Sequence, residues 1–196
     1  ESGTNTKFKL SPAHWLWKLP PMLLILLISM LICCSASPLE DSSSFVATAD
    51  GSFFYPDDDN QVGLTLSTFG QYERQLQNVA DTVLRQLMIS GDVIAYDIGA
   101  NFGTWSIPMS RTLAGRGTVY AFEVQRRIIQ YLKLNRLANE AANMQIVHAA
   151  LSNISGVMLV SDVTGGYGGQ TLSMLQEAGE AALRYKVLRT TLDLLL

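Results

Sequence analysis

Asp97-Ile98-Gly99-Ala100-Asn101-Phe102-Gly103 is the stretch that decides the fold. An apolar run, Val93 to Tyr96, leads into it, and a helix-compatible run from Ser106 to Leu113 leads away. Apolar run, glycine turn and helix together open an α/β nucleotide-binding unit. Gly99 and Gly103 carry no Cβ, so the backbone can turn tightly there and approach a ligand. The helix behind them would present unpaired N–H groups. Asp97, at the strand tip, sets the sign of the ligand: its carboxylate repels a pyrophosphate and suits an amine or hydroxyls.

After Gly115 and Gly117 the chain runs Thr118-Val119-Tyr120-Ala121-Phe122-Glu123, a second apolar strand ending in an acid. A carboxylate about 20 residues past a glycine loop accepts hydrogen bonds from the two ribose hydroxyls of an adenosine. Asn101 stands where the dinucleotide pattern G-x-G-x-x-G needs its middle glycine, which counts against pyrophosphate. A glycine loop alone is a weak signal. Strand, D-x-G-x-x-x-G, helix, strand and terminal Glu in that order form a strong one.

From about Gly70 to Thr191 the chain resembles the FkbM-type methyltransferases, a branch of the class I enzymes that use S-adenosyl-L-methionine. The resemblance rests on Gly70-Gln71-Tyr72-Glu73, Gly91-Asp92, Asp97 to Gly103, Ala121-Phe122-Glu123-Val124-Gln125, Leu134 to Asn139, His148 to Ser152 and Thr190-Thr191-Leu192-Asp193. Val124 departs from the proline that commonly follows the ribose-binding Glu in that family. The resemblance implies a Rossmann-like parallel sheet and O-methylation of a hydroxyl on a sugar or other natural product. It also implies a methyl donor held by its amino-acid part near Asp97, Gly99, Asn101 and Gly103, and by its ribose at Glu123. Adenine would pack near Phe122 and Val124, with Ala149, Ala150 and Leu151 closing from the third strand. The family continues with a strand bearing an Asp-x-Glu-Gly-type segment, so the domain is expected to be incomplete at Leu196. The first strand would then be a sheet edge, and the fragment unstable and not necessarily active alone. No general base is assigned.

Composition narrows the alternatives. A chain of 196 residues fits one domain with some residues to spare. The net charge of −3 and the lack of a basic block in the globular part argue against nucleic acid. Cys33 and Cys34 are the only cysteines, so the domain has neither a disulfide framework nor a cysteine zinc site. His148 lacks a Cys or His partner, and Asp57 to Asp59 lack a spaced ligand set. No metal site is expected.

Residues 19 to 36 are almost wholly apolar, preceded by Lys7, Lys9 and Lys18 and followed by Glu40 and Asp41. Trp15 and Trp17 resemble an interfacial anchor. An uncleaved apolar helix spanning a membrane is the favoured reading, and a cleaved signal peptide is the alternative. Either places the domain on the non-cytoplasmic side. The expected organisation is therefore residues 1–36 as flank and anchor, 37–50 as a flexible linker and 51–196 as the catalytic domain.

Along the domain, the pattern predicts a hairpin within 52–66 around Pro56 to Asn60, a helix in 70–89, and a strand at 92–97. Helix 104–114, strand 118–123 and helix 125–140 follow, then strands 144–150 and 156–161, a helix at 171–183 and a strand at 184–190. The Gly165–Gly169 run reads as a linker or a mobile lid. Asn153-Ile154-Ser155 is a glycosylation acceptor if the domain is luminal. A nicotinamide-dependent oxidoreductase and a non-catalytic anchored nucleotide-binding module are the rival functions.

Overall fold

The computed structural model describes residues 42–161 and 184–194. The order is β1 (Ser43–Ala47), β2 (Ser52–Pro56), α1 (Val62–Phe69), α2 (Arg74–Leu87), β3 (Val93–Ile98) and α3 (Ser106–Thr112). Then come β4 (Gly117–Glu123), α4 (Arg126–Ala138), β5 (Met144–Leu151), β6 (Gly156–Ser161), β7 (Arg184–Thr190) and a 3-10 turn, Leu192–Leu194. The apolar N-terminal segment, Gly165–Gly169 and the helix expected at 171–183 lie outside the described residues. No helix among the described residues is long and apolar enough to cross a membrane.

Five strands form one sheet in the order β3-β4-β5-β7-β6. The β3–β4, β4–β5 and β5–β7 pairs are parallel, and β6 runs antiparallel to β7. Among the described residues, the strand leading into the glycine loop is at the edge of this sheet. The α/β class with a mostly parallel sheet holds.

Strand alternation decides which face is buried. Val119 and Ala121 are fully buried and Ala95 nearly so, on the face where α3 packs against β4. On the other face, Ile94 and Ile98 are each 59% exposed, while Tyr96 and Tyr120 stack on one another at 5.6 Å. In α4, Ile128, Ile129, Tyr131 and Leu132 are buried and Asn135 lies beneath them on the same side. Leu137, in the same helix, is exposed because it falls off that face.

Two further expectations are corrected. The hairpin is β1–β2, turning at Thr48–Gly51, and Val62–Phe69 is a helix, not a second strand. Thr48 makes the turn by accepting from the N–H groups of Asp50 and Gly51. Ser43–Ala47 therefore belongs to a strand, although the Ser- and Asp-rich composition read as linker. Phe45 packs on Phe54 across the hairpin at 4.8 Å. Asp59 is buried and accepts from the Gln61 N–H just before α1, so the acidic run starts a helix.

The hairpin is joined to the sheet layer through α4. Asn135 accepts from Phe54 N–H and donates to the carbonyls of Phe54 and Phe102. Asn139, one turn on, accepts from Ser52 N–H and donates to the Ser52 carbonyl. These two amides bond the outer strand as a further strand would. Helix α2 is less embedded. It buries Gln77 and Leu84, while Leu76, Val79, Val83 and Leu87 form a stripe more than half exposed.

Candidate functional site

Asp97 and Glu123 occupy neighbouring parallel strands. Asp97 pairs with Ala121, so Glu123 lies two residues further along β4 and on the same sheet face. The carboxylates are close enough for the Glu123 charge to raise the affinity of Asp97 for a proton.

Three N–H groups hold the Glu123 carboxylate: Val124 and Gln125 on one oxygen at 2.7 and 2.8 Å, and Asn101 on the other at 2.9 Å. Glu123 is 5% exposed, so it is not an ordinary solvated strand end. Burial nevertheless dominates over these bonds and pushes its pKa up. A carboxylate offers about four acceptor positions, so the oxygen facing Asn101 can still accept from an incoming hydroxyl.

Burial pushes the Asp97 pKa up to about 6, opposed by hydrogen bonds from Ser106 and reinforced by the Glu123 charge. The Ser106 hydroxyl donates to Asp97. Asp97 therefore both faces its partner acid and ties down the start of α3. Ser106 carried no assignment in the sequence reading; its place nine residues past Asp97 is apparent only once the loop has folded back.

The loop between them is built from β4. Gly99 and Ala100 both donate to the Phe122 carbonyl at 2.9 and 2.8 Å. Gly99 has φ +81, and a Cβ added there would meet nothing within 4 Å, so this side of the bend is open. Gly103, at φ +99, is the opposite case: a Cβ would come within 3.0 Å of Leu132. One glycine leaves ligand space and the other lets the loop pack on α4. Asn101 is left-handed at φ +51, and its side-chain oxygen accepts from Phe102 N–H. That side chain serves as a turn residue, while its N–H reaches Glu123.

Phe122 and Ala150 sit deeper than a ligand-lining role requires. Phe122 is 2% exposed with its ring 6.3 Å from Tyr96, and Ala150 belongs to a cluster with Met158, Val160, Tyr185 and Val187. Val124 is only partly buried against that cluster. Its carbonyl is bonded by His148 at 3.0 Å and by the Tyr185 hydroxyl at 3.2 Å. Tyr185 also accepts from Arg126 N–H, and the Arg126 guanidinium stacks on its ring at 4.7 Å. His148 thus fixes the turn after Glu123. Among the described residues no cluster of His, Cys, Asp or Glu could hold a metal ion.

At the exit of the loop, the Trp105 indole donates to Glu73 at 2.9 Å and the Gln77 amide donates to the Thr104 carbonyl at 3.0 Å. Glu73 belonged to the resemblance motif without a role; Gln77 had no signal beyond its place on α2. A cavity of about 540 Å³ lies between α2 and α3, lined among others by Asp50, Gln77, Trp105 and Met109. It is separate from the strand tips, and its arginines are already engaged: Arg74 with Asp50, Arg85 with Asp81, Arg111 with the Ala49 carbonyl.

No protein-family model and no curated protein matches the chain. Among solved structures it is similar to a precorrin-6y C5,15-methyltransferase from Geobacter metallireducens GS-15, at 27% identity and a TM-score of 0.28 over 34% of this chain. It is also similar to a protein described as a transferase from Pyrococcus horikoshii, at 16% identity and a TM-score of 0.36 over 57% of this chain. The match spans 37% of the length of each of those two chains. Likenesses at these TM-scores assign neither fold nor activity.

Proposed function

We propose that this chain carries the donor-binding part of an S-adenosylmethionine-dependent O-methyltransferase of FkbM type, acting on a hydroxyl of a sugar or other natural product. One observation carries the reading: two carboxylates, half-buried Asp97 and buried Glu123, on one sheet face at adjacent strand tips, flanking a glycine bend open at Gly99. The residues fit the donor. Glu123 retains an acceptor position for a ribose hydroxyl; the second hydroxyl would share or displace the Asn101 N–H. Asp97 provides negative charge for the amine at the amino-acid end. When bound, the donor supplies an electrophilic methyl group for in-line displacement, and the protein's part is to hold and orient it.

A nicotinamide dinucleotide fits less well, because Asn101 directs its N–H at a carboxylate instead of leaving it for phosphate. Calorimetry distinguishes the readings. S-adenosylhomocysteine binding that disappears in Glu123→Ala supports the methyltransferase. NAD binding in its place supports the oxidoreductase, and silence toward both supports a non-catalytic module.

The same proposal includes a membrane tether through residues 19–36 with the domain on the non-cytoplasmic side. Asn153 lies in an exposed bend, so translation with microsomes should glycosylate it. An unmodified Asn153 in membrane-inserted chain argues for the opposite orientation.

A further inference from the structure

We propose that Glu73 and Gln77, at the start of α2, are positioning residues that set the exit of the glycine loop and so hold its bend and its flanking carboxylates in register with the donor. This rests on the donor-binding reading above. The loop from Asp97 to Trp105 is fixed at three places. Its entry hangs on the Phe122 carbonyl and its middle on Glu123, both supplied by β4. Its exit is fixed by α2, through Glu73 to the Trp105 indole and Gln77 to the Thr104 carbonyl.

Two local costs fall at this third place. Glu73 is left-handed, at φ 47 and ψ 39, a conformation disfavoured for any residue but glycine. Gln77 is 8% exposed with its side-chain oxygen buried and without a hydrogen-bond partner. Neither choice serves the stability of α2, whose apolar stripe points elsewhere. Both direct a polar group at the two residues that join the loop to α3. Ser106, next in the chain, donates to Asp97, so a displaced exit would also move the acid at the loop's entry.

The test uses the full chain and S-adenosylhomocysteine calorimetry, with melting temperature measured on each variant. Gln77→Met removes the donor and the unpartnered oxygen together. It should weaken binding about ten-fold while leaving the melting temperature within about 2 °C. Glu73→Ala should weaken binding by a similar factor, and Glu73→Gln, which keeps an acceptor for the indole, should restore it to within about two-fold. Trp105 emission, read in a Trp15→Phe/Trp17→Phe background, should shift on ligand addition in the parent and in Glu73→Gln. Leu84→Ala, which loosens α2 by packing alone, should lower the melting temperature and keep the affinity of the folded protein. Parent binding that survives both Gln77→Met and Glu73→Ala overturns the positioning role alone. Equal weakening by Leu84→Ala also overturns it, because anchoring of the helix would then suffice. Absence of binding by the parent refutes the donor reading, and the positioning role with it.

Discussion

Lowering the pH from 7 to 5 should weaken S-adenosylhomocysteine binding about ten-fold while stabilising the unliganded domain. Both effects come from Asp97. Its pKa is about 6 in the folded protein, against 3.8 for an ordinary aspartate. At pH 5 only about one molecule in eleven carries the charge, so a ligand that needs the carboxylate loses roughly one pKa unit's worth of affinity, about 1.4 kcal/mol. Stability moves the other way. The folded state keeps the proton up to about pH 6, whereas the unfolded chain releases it near 3.8. The unfolded state thus binds fewer protons between those values, and stability falls as pH rises through that window. The full displacement from 3.8 to about 6 corresponds to roughly 3 kcal/mol, of which about 1.4 kcal/mol, on the order of 5 °C in melting temperature, is gained between pH 7 and pH 5. Glu123, raised by burial as well, adds in the same direction. Calorimetry and thermal melts at pH 5, 6, 7 and 8 read the two effects, with Asp97→Asn as the control that should flatten the affinity profile and leave only the Glu123 part of the stability profile. Affinity independent of pH in the parent, or a pH profile unchanged in Asp97→Asn, would refute the assignment of charge to this side chain.

Three other outcomes follow from the geometry. Glu123→Ala leaves the N–H groups of Asn101, Val124 and Gln125 without their acceptor; it should cost about 2–3 kcal/mol in denaturant unfolding and abolish ligand binding. The two loop glycines should separate: Gly99→Ala carries only the cost of a left-handed backbone, about 1 kcal/mol, whereas Gly103→Ala adds a clash with Leu132 and should lose roughly 2–3 kcal/mol. Equal losses at the two sites would contradict their division of labour. Val79→Lys and Val83→Lys, on the exposed stripe of α2, should change unfolding free energy by no more than about 0.5 kcal/mol and raise solubility. A large loss of stability there would mean that the stripe is covered in solution.

The strands and helices from Val93 to Leu151 were legible because each is short and regular, and the first three, β3, α3 and β4, are closed by glycine or a terminal acid. Asp97 and Glu123 could be placed on one face from alternation alone, given parallel pairing. The hairpin was harder. Ser43 and Ser44 masked the strand around Phe45 and Val46, and the partner that fixes it is a pair of asparagines on α4, more than eighty residues away. Gln77 and Ser106 were invisible for the same reason: their roles depend on how the loop folds back, not on local pattern. The stripe on α2 was correctly read as helical, but helical spacing does not say whether an apolar face is covered.

The most direct measurement is a crystal structure of the chain with S-adenosylhomocysteine. The ribose should lie within hydrogen-bond distance of the Glu123 carboxylate, with the amino-acid end against Asp97 and the Gly99–Gly103 bend. Ligand found instead in the cavity between α2 and α3, with Glu123 bonded only to its three backbone N–H groups, would contradict the account.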